Sequence, residues 1–469
     1  MIVETMITAM TDAIKQNLGR FCEQGDFSRL TPELTEAVTA GMKQALSLAG
    51  VAGYRAFLQS YEVNAASIEV EGESYRFKRP VEKEYLTPFG CMVLPRNLFQ
   101  NKSDTQSYIP LEAAWGMTGE FMTVEVREAV LFSSGFVTPD ETQTLLEKSA
   151  LFHPSATAIK HVLAAKGRLI AAHKGELDAA IRQEEQAPPG TRVLAASLDG
   201  ANVLLNEKGV KRGRPSERPK GEGPTTTPTA YKNAMVGSVS FYGEVPQDEK
   251  TPQRLACRYT AHMPEDHAVT FKAQFEAELR DAECQCGPDV VKMLLLDGAR
   301  PLWNYVESRP CFKDYEKGID YCHTLEHLSL AGEALFGKSA TAAKAWYDKY
   351  RKILLESDTG ARQVLRSMEY HASAQDLSAT RRKELGAQRT FFRRNKKRMT
   401  YADFRRRGLP IGSGPVEAAC KTLVKTRLCR SGMRWSRQGG EHILDLRTYI
   451  KSNRWDAAWA RIKELAKVA

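Results

Sequence analysis

Apolar and polar positions follow helical spacing in some segments of the chain and strand alternation in others. Residues 1–65 carry apolar side chains at helical intervals, with a break near Gly50 and Gly53. Residues 66–130 begin with strand-like alternation, including a run at 85–98 that reverses at a Thr-Pro-Phe-Gly turn. The pattern therefore predicts an N-terminal helical region followed by a small β region.

Two short helices joined by a tight turn are predicted within residues 131–190. A proline follows Thr138 at the first helical position, and Ser155 is a good N-cap for a second helix that we expect to end at Ala165. Such a pair fits a helix-turn-helix, in which the second helix would present Lys160 to a DNA groove. A helical hairpin that serves only for packing is an equally good interpretation.

Residues 191–319 predict a sheet with one helix inserted in its strand order. The strands are predicted at 192–198, 233–242, 254–263 and 290–296, with an amphipathic helix at 266–284. The last of these strands is continuously apolar, as a strand buried inside a sheet is. Residues 320–400 are mostly helical, and residues 401–469 pass through a Gly-rich turn to further helices. The predicted fold class is thus α+β and multidomain, with a mixed sheet and a helical insertion.

The composition is that of a globular protein and excludes several other classes. At 469 residues, 42% of them hydrophobic, the chain suffices for about three domains of roughly 150 residues. No apolar run approaches the roughly 18 residues of a membrane helix, and the first residues lack the features of a signal peptide. Nine cysteines without a CxxC pair argue against a disulfide framework or a Cys-rich zinc site. We expect a reduced, cytoplasmic protein with no membrane partner.

Positive charge is concentrated in residues 381–437. These 57 residues hold 18 of the 67 Lys and Arg residues but only three of the 57 Asp and Glu, so they carry +15 while the rest of the chain sums to −5. A basic segment on a mildly acidic body is typical of a protein that binds a polyanion such as a nucleic acid. Aromatic residues in the segment, Trp435 among them, can stack on unpaired bases. A solvated basic helix surface is the alternative.

An exposed loop rich in proline and glycine is predicted at residues 207–232, between the first two strands of the sheet. It contains Arg212-Gly213-Arg214-Pro215, which resembles the core of an AT-hook, a motif whose arginines enter a narrow minor groove. A loop without that role is the alternative, because a match of four residues in a basic loop is weak.

Three separated acids carry the candidate chemistry. Asp199 and Asp297 each follow an apolar strand and precede a glycine, and neighbouring parallel strands lie about 5 Å apart. Pro415 fits the first position of a helix, which puts Glu417 at the third. Carboxylates so arranged can hold two hard cations, Mg²⁺ or Mn²⁺, roughly 3.5–4 Å apart for an in-line phosphoryl transfer. Taken singly, each acid also fits a turn or a helix end.

The sequence resembles bacterial insertion-sequence transposases of the DDE group, in the Mutator-like superfamily. The resemblance is strongest at Ser-Leu-Asp-Gly (197–200), Leu-Leu-Asp-Gly (295–298), RRRGLPIGSGPVEAACK (405–421) and RSGMRW (430–435). It covers the chain from about residue 80 to the end. It implies an RNase H-like catalytic core whose helical insertion separates the second Asp from the Glu. Relatives also carry a (Cys/Asp)-x-x-His motif, matched here by Asp320 and His323, which implies a role for His323 near the scissile phosphate.

The resemblance implies an activity, a cofactor and a partner. Asp199, Asp297 and Glu417 would bind two Mg²⁺ or Mn²⁺ ions, and the enzyme would cleave the ends of its element and join the 3′-OH to target DNA. The partner would be double-stranded DNA, bound near the bacterial nucleoid by a homodimer or larger assembly. The basic side chains expected at the DNA are Arg405, Arg406, Arg407, Lys421, Lys425, Arg427, Arg430 and Arg434.

Two other interpretations stay open at this point. A domesticated DNA-binding protein would keep the fold without cleaving DNA, although all three acids are present. A two-carboxylate hydrolase such as a glycosidase would leave the basic segment unexplained.

Overall fold

The computed structural model describes residues 2–24, 28–101, 106–206, 231–374 and 376–468. The chain divides into two compact units, Met1–Leu169 with Trp459–Ala469 and Ile170–Ala458. This division is coarser than the six predicted regions 1–65, 66–130, 131–190, 191–319, 320–400 and 401–469.

The first unit begins with two long helices, α1 (Ile2–Gln24) and α2 (Pro32–Gln59). The prediction of helix is confirmed, but the predicted break near Gly50 and Gly53 is wrong, because α2 runs through both. Close packing explains the glycine at position 50 of this helix, because a Cβ atom there would lie 2.4 Å from the ring of Phe89.

An antiparallel sheet of four strands follows, in the order β1 (Ser67–Val70), β2 (Glu73–Thr87), β3 (Gly90–Asn101) and β4 (Ser107–Tyr108). The predicted turn is confirmed, since Thr87 and Gly90 are the last pair of the β2–β3 hairpin. Tyr85, Met92 and Leu94 are buried together with residues of α2 and form part of the core of this unit.

The next helices are α3 (Pro110–Trp115), α4 (Val124–Phe136), α5 (Pro139–Ser149) and α6 (Ala156–Glu184). The N-terminus of α5 is a full capping box, in which the Thr138 hydroxyl and the Glu141 carboxylate each accept a hydrogen bond from the other's backbone N–H. The predicted end of the following helix at Ala165 is wrong, because α6 extends over 29 residues. The short second helix expected for a helix-turn-helix is therefore absent from this described segment.

The second unit is built on a mixed sheet of five strands. They are β5 (Val193–Leu204), β6 (Tyr231–Tyr242), β7 (Arg254–His262), β8 (Val291–Leu296) and β9 (Glu316–Ile319). The order across the sheet is β7-β6-β5-β8-β9. The pairs β7–β6 and β6–β5 are antiparallel, whereas β5–β8 and β8–β9 are parallel. The prediction of an α+β fold with a mixed sheet is confirmed.

Helices connect and extend this sheet. Between the strands lie α7 (Val269–Gln285) and α8 (Arg300–Ser308), and α9 (Tyr321–Phe336), α10 (Thr341–Glu356), α11 (Gly360–Ala374) and α12 (Ala379–Asn395) follow β9. The last segments are α13 (Tyr401–Arg406), α14 (Gly414–Ala419), a π-helical segment (Cys420–Lys425), α15 (Thr426–Leu428), α16 (Arg437–Lys451) and α17 (Trp455–Val468). The four helices α9–α12 confirm the predicted helical segment.

The core of the second unit lies on both sides of the sheet and extends between α9–α12. Leu294 and Leu296 of β8 are fully buried, as the continuous apolar run predicted. Phe271 and Phe275 of α7 pack against the sheet. Among the helices in the described ranges, none combines the length with the apolar character that a membrane crossing requires.

A partly buried carboxylate on a helix beside the sheet gives the second unit a pH-dependent stability. Burial raises the pKa of Glu441 from 4.5 to about 8, and repulsion from Asp445 adds to the effect. The folded chain then holds a proton over this pH window that the unfolded chain has released, so the free energy of unfolding falls as pH rises from about 4.5 to 8. We expect E441Q to unfold with a smaller pH dependence than the unaltered chain in denaturant titrations at pH 5 and pH 8. An identical pH dependence of the two proteins would contradict this assignment.

Candidate active site

Asp199 lies in β5, and Asp297 and Asp320 directly follow the neighbouring parallel strands β8 and β9. The β5–β8 register, extended three residues beyond its last pair, places Asp199 beside Asp297. The β8–β9 register, extended one residue beyond its last pair, places Asp297 beside Asp320. Residues in one row of a parallel sheet point to the same face, and adjacent strands lie about 5 Å apart. The row thus brings together three carboxylates that are far apart in sequence.

Asp199 lies inside β5, which corrects the prediction that the strand ends there. The strand continues to Leu204 along β6, whereas its pairing with β8 stops at Ala196. Asp199 is therefore bordered by a paired strand on one side and by an open edge on the other. A Cβ atom on Gly200 would lie 2.2 Å from the side chain of Asn233, so the glycine accommodates a close approach within the strand rather than a turn.

One oxygen of the Asp199 carboxylate accepts a hydrogen bond from the backbone N–H of Gly200 at 2.7 Å. The buried thiol of Cys420 lies near the same carboxylate, and burial together with the Asp199 charge raises the pKa of Cys420. Cys420 is consequently a neutral group beside Asp199.

Asp297 directly follows β8 and is the central member of the row. Its Oδ1 atom accepts a hydrogen bond from the backbone N–H of Ala299 at 2.9 Å. Burial raises the pKa of Asp297, and repulsion from Asp199 and Asp320 raises it further, while Ala299 and His323 act in the opposite direction. The repulsion agrees with the register in placing the three carboxylates close together.

Glu417 lies in the first turn of α14. The helix begins one residue earlier than predicted, so Pro415 is at its second position and Glu417 at its fourth. Burial raises the pKa of Glu417, and the charges of Asp320 and Asp199 add to the shift, while the Ser413 hydroxyl at 3.3 Å from its Oε1 atom lowers it. Glu417 is thus electrostatically coupled to the aspartate row.

Asp320 differs from the other acids because both oxygens of its carboxylate accept hydrogen bonds from protein donors. It is the N-cap of α9 and is 1% exposed. Its Oδ1 accepts from the backbone N–H of His323 at 2.7 Å, and its Oδ2 accepts from both the backbone N–H and the hydroxyl of Ser413. Sequence reasoning identified Asp320 only through the motif it shares with His323, and it missed Ser413 and Cys420.

His323 lies in the first turn of α9, close enough to Asp297 for their charges to interact. Its imidazole is 32% exposed, and its Nδ1 atom lies 3.4 Å from the carboxylate of Glu326. The ring packs edge-on against His327, which stacks on Phe391 with their centroids 3.6 Å apart. A Cβ atom on Gly298 would lie 2.3 Å from the Phe391 ring, so this aromatic stack closes directly over the residue after Asp297.

An open cavity of about 620 Å³ brings two of these acids, Asp199 and Glu417, together with basic side chains. It is lined by Asp199, Glu417, Cys420, Lys421, Lys425 and Thr426. The π-helical segment supplies three of these residues directly after Glu417, and such segments recur at functional sites. The cavity therefore presents carboxylates and ammonium groups to one space, as a site for a metal-bound phosphodiester would.

The donor set fits a hard divalent cation in its chemistry. Asp199, Asp297 and Glu417 supply carboxylate oxygens, the ligands that Mg²⁺ and Mn²⁺ prefer. Burial and mutual repulsion both disfavour the charged forms of Asp297 and Glu417, and a bound cation would reverse that effect. Within the described ranges, no three His, Cys, Asp or Glu side chains are grouped closely enough to chelate one ion as they stand. Binding would require the carboxylates to turn toward a common point.

The predicted DNA contacts in the last part of the chain differ in exposure. Four of them have exposed side chains: Lys421, Lys425, Arg430 and Arg434. The prediction for Arg427 is wrong, because its side chain is 2% exposed and its guanidinium lies 5.2 Å from the ring centroid of Trp435. Trp435 is half-buried and anchored, since its indole N–H donates to the carbonyl of Leu428 and its backbone pairs with the end of β5.

Acidic neighbours balance part of the charge in the basic segment. Of the arginines at 405–407, Arg406 pairs with Asp358 at 2.8 Å and Arg407 with Glu316 at 2.7 Å. These pairs are solvent-exposed and so cost little to exchange for phosphates. The contact of these arginines with DNA stays a prediction.

Two further predictions concern residues outside the basic segment 381–437. Lys160 lies on α6 with 59% of its side chain exposed, 3.9 Å from the carboxylate of Asp140. Arg212 and Arg214 of the predicted AT-hook lie outside the described residues.

Comparison with models of known protein families finds no match to the chain. No curated protein matches it either.

Proposed function

We propose that this chain is a metal-dependent DDE transposase, a DNA endonuclease and strand transferase with an RNase H-like catalytic core. The observation that carries the proposal is the position of Asp199 in β5 and of Asp297 directly after β8, the strand that pairs parallel with β5, together with the charge interaction between the two carboxylates. Glu417, contributed by a helix 120 residues further along the chain, is coupled electrostatically to Asp199 and lines the same cavity.

The topology supports the same proposal. The resemblance at the level of sequence implies a mixed sheet carrying both aspartates and a helical insertion before the glutamate. The five-stranded sheet carries Asp199 and is followed directly by Asp297, and α9–α12 lie between Asp297 and Glu417. The proposal accounts for both the row of acids and the basic side chains of the cavity. A glycosidase would use two carboxylates but would leave the basic side chains unexplained.

Each side chain has a role in the proposed reaction. Asp199, Asp297 and Glu417 would hold Mg²⁺ or Mn²⁺, which when bound would supply activation of the attacking water and stabilisation of the leaving 3′-oxygen. Lys421 and Lys425 would bind phosphates that flank the reacting bond. His323 would offer its second ring nitrogen to a phosphate oxygen, since its Nδ1 faces Glu326.

The direct test of this function is cleavage and joining of DNA. A plasmid carrying the sequences that flank the gene is incubated with the full chain in Mg²⁺ or in EDTA. We expect nicks that leave a 3′-OH, followed by covalent joining of that end to a second DNA, in Mg²⁺ alone. Tight DNA binding without cleavage in Mg²⁺ would support the domesticated alternative and contradict the proposal.

The two lysines of the cavity are expected to dominate the salt dependence of DNA binding. Each phosphate contact contributes about 0.9 to the slope of log K against log salt, so K421A/K425A should lower that slope by about 2. The measurement is fluorescence anisotropy with labelled duplex DNA at several salt concentrations. The matched control is K349A/K352A, which removes two exposed lysines of α10 and should leave the slope unchanged. Equal slopes for the two double variants would place DNA elsewhere on the protein.

A further inference from the structure

The helix that carries Glu417 is preceded by a turn with little stiffness of its own. Gly412 and Gly414 flank Ser413, and neither glycine restrains the backbone by a side chain. Ser413 itself accepts the backbone N–H groups of Val416 and Glu417 at its carbonyl oxygen, at 3.0 and 3.3 Å. The position of Glu417 therefore depends on what holds Ser413.

Asp320 is the group that holds Ser413. The Asp320 Oδ2 atom accepts the Ser413 backbone N–H and, at 2.9 Å, the Ser413 hydroxyl. A second hydrogen bond joins the same two segments, because the backbone N–H of Tyr321 donates to the carbonyl of Ile411 at 2.9 Å. Asp320 and Ser413 are 1% and 4% exposed, so these hydrogen bonds are shielded from competing water.

The same aspartate is fixed to the sheet. Its backbone N–H donates to the carbonyl of Leu296 at 2.8 Å, directly before Asp297, and its Oδ1 accepts the backbone N–H of His323. Three of the roughly four lone-pair positions of the Asp320 carboxylate are thus occupied by protein donors. Asp320 stands in the row of acids, yet its oxygens are committed to the protein rather than to the cavity.

We propose that Asp320 and Ser413 form a positioning clamp that couples the sheet bearing Asp297 to the helix bearing Glu417. The Ser413 hydroxyl lies 2.9 Å from the Asp320 Oδ2 atom and 3.3 Å from the Glu417 Oε1 atom, so its single hydrogen can be donated to either carboxylate and links them through one oxygen. The clamp sets the distance from Glu417 to the aspartates, and with it the affinity for a divalent cation. This inference rests on the proposed function, in which these acids share bound metal.

Mn²⁺ binding to the full chain without DNA tests the clamp, with free Mn²⁺ measured by electron paramagnetic resonance. Loss of a partner that orients a metal ligand typically weakens metal binding about 10-fold to 100-fold, and we expect about 10-fold for S413A. S413T keeps the hydroxyl and should bind within about twofold of the unaltered chain. E417Q, which alters a proposed ligand, should weaken binding at least as much as S413A.

The outcomes separate the clamp from the function it serves. Unchanged Mn²⁺ affinity in S413A, with clear loss in E417Q, would overturn the clamp and leave the proposed function standing. No Mn²⁺ binding by the unaltered chain would overturn both. Duplex DNA affinity is the second readout, and it should be equal in S413A and S413T. A fall in DNA affinity in S413A alone would indicate general disruption of the fold and overturn the clamp.

Discussion

Replacing Asp199 with alanine is expected to lower Mg²⁺-dependent DNA cleavage by at least about 1,000-fold, or about 4 kcal/mol of transition-state stabilisation. Asp199 is the only acidic residue in β5, so no other carboxylate on that strand can replace it. Its side chain is half-buried at an open strand edge, and its truncation leaves the sheet hydrogen bonds intact. The measurement is the rate of nicking of supercoiled plasmid, and duplex DNA affinity should change by less than about twofold because the phosphate-binding lysines remain.

The matched control for that experiment is D376N. Asp376 has 97% of its side chain exposed and pairs only with the exposed Arg382 among the contacts of the described residues. Cleavage by D376N should equal that of the unaltered chain. If D199A nicks the plasmid in Mg²⁺ as fast as D376N does, Asp199 has no part in the chemistry.

The largest expected effect on stability is that of Arg454. Its guanidinium donates four hydrogen bonds, two to Glu185 and two to Glu278, and both Arg454 and Glu278 are buried. R454M would leave two carboxylates without their main partner, and breaking a buried pair in this way costs about 3–5 kcal/mol. Arg258 lies 3.3 Å from Glu185 and 3.8 Å from Glu278, so it limits the loss but cannot replace the four bonds.

R382M is the matched control for R454M. Arg382 also pairs with an acid, but 66% of its side chain is exposed, and such pairs contribute about 0–1 kcal/mol. The free energy of unfolding from urea titration should fall markedly for R454M and by less than about 1 kcal/mol for R382M. Equal small losses would show that the buried network around Arg454 is not a main source of stability.

Much of the fold could be predicted from the sequence because long elements carry their own periodic signal. The strand β8 is predicted within one residue of its observed bounds, and the four helices α9–α12 lie within the segment 320–400 predicted to be mostly helical, since each has a clear apolar pattern. The strand β9 was missed because four residues, of which Ile319 alone is a large apolar residue, give no period to detect. Its absence from the predicted sheet hid the position of Asp320.

The parts of the site that could not be predicted depend on tertiary contacts. The three acids Asp199, Asp297 and Glu417 stood out in the sequence, but only the strand register shows that Asp320 lies in the same row as Asp199 and Asp297. Arg427 was expected at the DNA because of its charge, and no sequence pattern reveals that it is buried against Trp435. Composition likewise gives the charge of the basic segment but not the acids, such as Glu316 and Asp358, that pair with it in space.

Asp199, Asp297 and Glu417 are proposed to act on the same bound cations. Crystals of the full chain soaked in Mn²⁺ test this directly, because anomalous scattering locates the ion without reference to any activity. We expect an anomalous peak about 2.0–2.2 Å from oxygens of Asp199 and Asp297, with Glu417 ligating the same ion or one roughly 3.5–4 Å away. A peak bound elsewhere, with these three carboxylates left apart, would contradict shared metal binding by the three acids.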